Sequence, residues 1–257
     1  MSAKPPITAK LKELNVCGWQ AVSTLFARHP AEVRRLFFDA PTGRRAGEFC
    51  SLLAQAKKVY RQVEPAELEK IAGSMHHGGI VAVIGERPML KVTREVLETW
   101  GRTKSPLLLL DRVGNANNLG AIVRTAAFFG VKAVIVPDHP AQAMPGEAAY
   151  RVAEGGMEFV DFYRVPSLPG LCADLQRHYF LIGTSLRGNQ LSPAAAKERG
   201  WPRPPAVILG NEEKGISPEV AARCDRLVKI PGADSVESLN VSAAAAVLCW
   251  EFFGKRE

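Results

Sequence analysis

From Ser105 onward, short continuous apolar runs alternate with segments of helical spacing and with polar, glycine-containing loops. Leu107 to Leu110 reads as a buried strand, DRVGNANNLG as a loop, and Ala121 to Phe129 as a helix ended by Gly130. Ala133 to Val136 is the next strand, followed by a proline-rich surface loop over 137–147 and a short helix over Tyr150 to Glu158. Strands then follow at Phe162 to Val165, Tyr179 to Thr184, Val207 to Leu209 and Leu227 to Ile230, with helices over Leu168 to Arg177 and Pro218 to Arg223. The last stretch, IPGADSVESLNVSAAAAVLCW, reads as strand end, loop and helix, with Asn240 or Ser238 as N-cap and a close-packing alanine surface over the helix. Apolar strands alternating with helices predict an α/β fold with a mostly parallel sheet and helices on both faces.

The pattern before Ser105 is different. Residues 1–14 read as a basic tail. A small α/β unit follows over 15–87, with helices at Trp19 to Arg28, Ala46 to Val59 and Ala66 to Ala72. Its strands are Val33 to Asp39 and Ile80 to Ile84, and PTGRR is a loop. Residues 88–104 carry one amphipathic helix and a basic stretch, the composition of a linker between this unit and the domain at 105–257.

Charge alters the picture only in the first part. The net charge is +7, and residues 1–100 hold fifteen Lys and Arg against ten Asp and Glu. An anionic partner is therefore plausible for the smaller unit. Two arginine pairs there, Arg34–Arg35 and Arg44–Arg45, read either as phosphate contacts or as solvated surface. The five cysteines, Cys17, Cys50, Cys172, Cys224 and Cys249, are odd in number and lack CxxC spacing, so neither a disulfide frame nor a zinc site is expected. The histidines show no ligand spacing, and no metal is expected. The N-terminus has no apolar signal core, and no run nears the roughly 20 apolar residues of a membrane span. A cytoplasmic location is expected.

In a parallel sheet the ligand site lies beyond the carboxyl ends of the strands. Three strand ends carry polar loops, Asp111 to Gly120, Gly210 to Ser217 and Pro231 to Asn240. Together they hold Asn115, Asn117, Asn118, Glu212, Glu213, Ser235, Ser238 and Asn240, with Arg124 on the helix after the first loop. No GxGxxG follows a strand, and there is no GxxxxGK[ST], nucleophile elbow or HExxH. The residues alone give a backbone-rich polar pocket on an α/β domain joined to a basic unit.

Read together, NANNLGAIVRTAAFFGV, ILGNEEKGIS and IPGADSVESLNVSAAAA resemble the three motifs of the SpoU (TrmH-type) RNA ribose methyltransferases. These belong to the SPOUT group, whose catalytic domain carries a deep C-terminal trefoil knot. The resemblance covers 105–253, and 15–87 resembles the family's ribosomal-protein-like substrate-binding domain. It implies methyl transfer from S-adenosylmethionine to a ribose 2′-hydroxyl of tRNA or rRNA, by a homodimer associated through the knotted domain. It assigns Asn118, Arg124, Glu212, Ser238 and Asn240 to the catalytic set, and Thr184, Gly210, Ile230 and Leu239 to the cofactor. Arg124 is expected beside the 2′-hydroxyl, as base or as electrostatic stabiliser. The departures are Ala116 for proline, Gly232 for methionine and Asp234 for glycine, which touch loop shape and the cofactor rim. A second reading, an RNA-binding protein that keeps the fold without the chemistry, stays open on the sequence. So does a small-molecule α/β enzyme using a nucleotide.

Overall fold

The computed structural model describes residues 12–190, 202–233 and 235–254. Most of the expected basic tail, and Asp234, lie outside those residues. The chain divides into two compact units, Met1–Pro88 and Met89–Glu257.

The first unit is a mixed sheet with helices. In chain order it runs β1 (Glu13–Cys17), α1 (Trp19–Arg28), β2 (Arg35–Phe38), α2 (Ala40–Gly43), α3 (Gly47–Gln55), β3 (Val59–Gln62), α4 (Pro65–Ala72) and β4 (Ile80–Gly85). The sheet order is β1-β4-β2-β3. β4 is antiparallel to both β1 and β2, and β3 is parallel to β2. The expected helix over Ala46 to Val59 stops at Gln55, and Val59 begins an edge strand instead. Lys57 at φ +54 breaks the helix there. PTGRR is not all loop: Asp39 caps α2 by accepting from the Thr42 N–H at 2.9 Å.

The second unit holds β5 (Leu90–Lys91), α5 (Arg94–Thr103), β6 (Leu107–Asp111), α6 (Ala116–Phe128), β7 (Ala133–Pro137), α7 (Glu147–Ala153), β8 (Asp161–Val165), α8 (Leu168–Leu175), β9 (Phe180–Gln190), β10 (Pro205–Gly210), α9 (Pro218–Ala221), β11 (Arg226–Lys229) and α10 (Val241–Phe253). Among the described residues its seven strands are all parallel, in the order β11-β9-β10-β6-β7-β8-β5. This is the α/β fold with a parallel sheet that the hydrophobic pattern implies. The 88–104 segment is more than a linker, because β5 closes one sheet edge and Trp100 of α5 is in the core. The helix expected over Tyr150 to Glu158 starts earlier, at Glu147, and ends at Ala153; a 3-10 turn covers Gly156–Glu158.

The core explains the unbroken apolar runs. Leu107, Leu109, Ala133, Ile135, Ala206 and Ile208 pack on one face with Trp100, Leu168, Leu171 and Leu175. The alternating Leu108, Leu110, Val134, Val136, Val207 and Leu209 are equally buried. They point to the opposite face, where α10 packs on β10 and α6. Each such side chain contributes roughly 1.5–3 kcal/mol when removed from water. The sheet is therefore a rigid base, with the polar strand ends of β6, β10 and β11 projecting from it.

Candidate functional site

β6 and β10 are neighbours in the sheet, with Asp111 opposite Gly210 at their carboxyl ends. Here the strand order reverses: the chain moves outward from β6 through β7 and β8, then returns on the other side through β9. Such a switch point opens a crevice between the loops. Asp111 is buried, and its Oδ2 accepts from both the backbone N–H and the hydroxyl of Ser217, each at 2.6 Å. That pair ties the loop after β10 back to the end of β6.

The first loop is shorter than the sequence implies, because α6 starts at Ala116 rather than Ala121. Asn115 is its N-cap, with Oδ1 accepting from the N–H of Asn117 at 2.8 Å and of Asn118 at 3.2 Å. Capping by Asn satisfies helix-end donors that have no intrahelical partner. Asn117 and Asn118 thus sit on the first turn of a helix with fixed orientation. Ala116 occupies the first helical position, where proline is favoured and alanine also fits.

The second loop centres on Asn211 and Glu212. The Asn211 side chain donates to the Arg112 carbonyl at 2.8 Å and accepts from the N–H groups of Glu213 and Lys214 at 3.1 Å each. Glu212 reaches back to the first loop. It accepts from the Gly114 N–H at 3.2 Å, the Asn115 N–H at 3.3 Å and the Asn118 side-chain amide at 2.8 Å. Burial pushes the Glu212 carboxyl upward, but the Asn118 amide and the backbone N–H groups of Glu212, Gly114 and Asn115 outweigh it and hold it below its ordinary value. The group is a carboxylate at neutral pH.

The third loop joins through Asn240. Its amide donates to Asn118 Oδ1 at 3.1 Å, while its own Oδ1 caps α10 by accepting from the Ser242 N–H at 2.9 Å. The N-cap alternative of Ser238 is thereby resolved in favour of Asn240. A chain of side-chain bonds, Glu212–Asn118–Asn240, therefore links all three loops across residues more than ninety positions apart in sequence.

Beside this chain lies a cleft of about 430 Å³. Thr184, Gly210, Ile230 and Leu239 all line it, as do Glu212, Ser238 and Asn240. Gly232 is on its wall too. Gly210 has no room for a side chain: an added Cβ would run into the Gly215–Ile216 backbone, with Gly215 O at 2.6 Å. Gly215 itself turns at φ +66.

Arg124 is placed apart from the other expected catalytic residues. It lies six residues beyond Asn118 on α6, about 240° around the helix. It does not line the cleft, and its guanidinium pairs with the Glu154 carboxylate at 2.9 Å. Both partners are more than half exposed.

Sequence reasoning passes over two residues that the structure makes central, Asp111 and Asn211. The available signal is an Asp at the end of an all-apolar strand, and an Asn two to three residues before free N–H groups in a glycine-closed turn. Among the described residues no group of three or more metal-ligating side chains is present, and no helix is long and apolar enough to cross a membrane.

Comparison with known proteins gives a consistent result. Residues 105–250 match the SpoU rRNA Methylase family model, and residues 15–90 match the model for RNA 2'-O ribose methyltransferase substrate binding. The chain is 34% identical over 242 residues to the 23S rRNA (guanosine-2'-O-)-methyltransferase RlmB of Acinetobacter baylyi, covering 91% of this chain and 94% of that protein. It is 36% identical over 248 residues to an uncharacterized tRNA/rRNA methyltransferase of Haemophilus influenzae, covering 95% and 67%. Among solved structures, the SpoU methyltransferase AviRb from Streptomyces viridochromogenes in complex with AdoMet aligns with a TM-score of 0.68 at 25% identity, covering 94% of this chain and 89% of that one.

Proposed function

The chain belongs to the SpoU rRNA methylase family, and from that premise we propose that it methylates a ribose 2′-hydroxyl of ribosomal RNA with S-adenosylmethionine as donor. The observation that carries the reading is the Glu212–Asn118–Asn240 chain, which fixes three loops around a cleft of about 430 Å³. The lining fits the donor. The volume falls in the range of small-ligand sites. Leu209, Val228, Leu239, Val241 and Ala244 give apolar wall, Thr184 and Ser238 give hydroxyls, and Glu213 and Glu237 give carboxylates suited to a cationic ligand. The relative solved with AdoMet and the relatives that are 23S rRNA (guanosine-2'-O-)-methyltransferases support the same choice.

S-adenosylmethionine supplies a methyl group already activated on a sulfonium. Thr184 and the backbones of Gly210, Ile230 and Leu239, all on the cleft wall, would hold it. Asn118, Glu212, Ser238 and Asn240 would set the loop positions and orient the ribose 2′-hydroxyl towards the donor; the methyl would pass from sulfur to that oxygen, leaving the neutral thioether, with the hydroxyl proton released to solvent. Such alignment is worth about 7–11 kcal/mol of barrier. Arg124 lies outside the cleft in the free chain, so its role requires that it leave Glu154 on RNA binding; it then takes a phosphate next to the target ribose and offsets the negative charge developing on the 2′-oxygen. A guanidinium stays protonated in proteins, so electrostatic stabilisation suits it better than proton abstraction. Its partner Glu154 does not forbid this, since exposed ion pairs contribute only about 0–1 kcal/mol and a phosphate can take over.

In this reading residues 15–87 select the RNA and 105–257 perform the transfer. The C-terminal segment forms a deep trefoil knot. Its support is the path of the chain, which leaves edge strand β11 and returns to the centre, where Asn240 bonds Asn118 and α10 packs on β10 and α6. The unit pairs with a second copy through α6 and α10, where Phe128, Val247 and Trp250 are exposed apolar side chains.

The test is Arg124→Ala in the full chain, with methyl transfer to ribosomal RNA and donor binding measured on the same samples. Transfer falls at least a hundredfold, in the range of losing one preorganised electrostatic contact, while donor binding is retained. Equal loss of both removes Arg124 from the assigned role.

A further inference from the structure

The structure separates the two arginine pairs of the first unit. Arg34 and Arg35 share one carboxylate, Glu13, the first at 3.5 Å. Arg61 pairs with Glu67, and Arg87 with Glu32 at 2.7 Å. Arg44 and Arg45 have no carboxylate partner among the described residues, and both are exposed. Two unpaired guanidinium groups therefore sit side by side on the turn between α2 and α3.

That turn also carries planar chemistry. The Arg45 guanidinium carbon lies 4.0 Å from the centre of the Trp19 ring. Trp19 stacks on Phe49, with centroids 5.4 Å apart and planes 30° apart. Phe49 stacks on Phe26 at 4.3 Å and 9°. The four groups form a column that runs from the buried Phe26 outward to the exposed guanidinium. Trp19 begins α1, directly after β1, and Phe49 is on α3, so the column is fixed by two helices. The Trp19 ring thus holds the Arg45 guanidinium in place while the residue stays exposed to solvent. α3 starts here with Ala46 as N-cap, which offers no side-chain acceptor to the first-turn N–H groups, while Glu48 in that turn offsets part of the helix-end charge.

We propose that Arg45, stacked on Trp19 and flanked by Arg44, is an RNA contact that takes an unpaired base on its outer face and backbone phosphates on its edges. Unstacked bases are commonly held on aromatic or guanidinium planes, and the guanidinium fork matches phosphate. A pre-oriented arginine loses less rotamer freedom on binding than a free one. An acidic peptide would use the edges but not the face, so the column distinguishes RNA from a generic polyanion. The proposal rests on the reading that this chain acts on RNA, and it names the residues by which the first unit engages it.

The experiment measures fluorescence anisotropy of a labelled RNA hairpin with an unpaired loop, and of a blunt duplex of the same composition, on the full-length chain. Arg45→Gln weakens hairpin binding about tenfold, the effect of losing one stacked base, and weakens the duplex much less. It also lowers the slope of log affinity against log salt by about one. Arg44→Gln lowers the salt slope alike but affects hairpin and duplex equally. Arg35→Gln, at the pair that shares Glu13, changes neither. Trp19→Phe keeps a ring under the guanidinium and retains most of the hairpin preference, whereas Trp19→Leu, with an unchanged melting temperature, loses it. Unchanged affinity and slope in Arg45→Gln overturn the proposal, as does an equal loss in Arg35→Gln. Equal competition by poly-glutamate and by single-stranded RNA overturns it in favour of a polyanion surface. If the parent methylates RNA while Arg45→Gln binds normally, this inference fails alone; if the parent binds no RNA, the functional reading fails with it.

Discussion

Replacing Glu212 by Gln keeps the side chain's shape and removes its charge, and the consequence can be worked out amide by amide. In the parent, Oε1 accepts from the Asn115 N–H and the Asn118 amide, and Oε2 from the Gly114 N–H. The Gln oxygen will keep the shortest bond, to Asn118, and with it Asn115. Its NH2 then faces the Gly114 N–H, donor against donor. A bond to a charged acceptor contributes about 1.5–3 kcal/mol and one to a neutral acceptor about 0.5–1.5. Asn115 therefore loses about 1 kcal/mol. Gly114 loses the whole bond, about 2 kcal/mol once water takes part of the place. At about 1.4 kcal/mol per tenfold, hydrogen exchange read by NMR speeds up roughly fivefold at Asn115 and roughly twentyfold or more at Gly114. The Ser217 N–H, which bonds Asp111 Oδ2 and not Glu212, is the internal control and does not change. The pH dependence carries a sign. The Glu212 carboxyl is held below its ordinary value in the fold, so its contribution is present above the ordinary carboxylate range and is lost as pH falls through the lowered value. The difference between parent and variant is thus full at pH 6 and shrinks below about pH 4. Equal exchange at Gly114 in the two proteins, or a difference that persists undiminished in acid, refutes the claim that Glu212 holds the first loop as a carboxylate.

Other perturbations follow from the same geometry. Gly210→Ala drives a Cβ into the Gly215–Ile216 backbone, which cannot rotate away; it costs about 1–3 kcal/mol and lowers the melting temperature by several degrees. Calorimetry should show weakened donor binding in the same variant. The thiols of Cys172, Cys224 and Cys249 are pushed up to about 12, mainly by burial. At pH 8 they should stay unalkylated by iodoacetamide until denaturant is added, as intact-mass spectrometry will report. Trp250→Glu places a charge on an aromatic group in which Phe128 and Trp250 are exposed and Phe129 lies half-buried next to both. In sedimentation velocity it should shift a dimeric parent to monomer, and a monomeric parent at micromolar concentration contradicts the proposed pairing.

What the sequence makes legible follows burial. β6, β7 and β10 are buried on both faces and appear as unbroken apolar runs, so their positions are readable. β3 is the contrary case: all four of its residues, Val59 to Gln62, are exposed on a sheet edge, and no hydrophobic period marks it. β1 was hidden by its junction with the basic segment before it, although Leu14 and Val16 alternate inward. α6 looks five residues short in the sequence because its first turn faces the site, where Asn117 and Asn118 replace apolar residues. Gly120 disguises it further. That glycine is needed because a Cβ there would lie 2.5 Å from the Ala149 carbonyl of α7. β9 runs on past Thr184 to Gln190 through mostly polar or exposed residues, held by backbone pairing to β11 and by the absence of a side chain at Gly188.

The site divides in the same way. A local bond such as that of Asn240 at the start of α10 is readable from capping chemistry, whereas the Asn115 cap is masked by the polar first turn of α6. The three motifs indicate which loops matter, and the strand order that brings them together depends on parallel pairings between distant segments. Neither the Asn118–Glu212 bond nor the Arg124–Glu154 pair has a local signature. The first joins loops that no short-range pattern relates. The second depends on how α7 ends, with Glu154 at φ +44 next to Gly155.

The most direct test of the central claim is transfer of labelled methyl from S-adenosylmethionine to RNA from cells lacking this gene, separated into ribosomal and transfer fractions. Arg124→Ala protein serves as the control. The account predicts label in the ribosomal fraction, recovered after alkaline hydrolysis in a resistant dinucleotide, and absent with the variant. Label released by alkali as single nucleotides, or no label in either fraction, contradicts it.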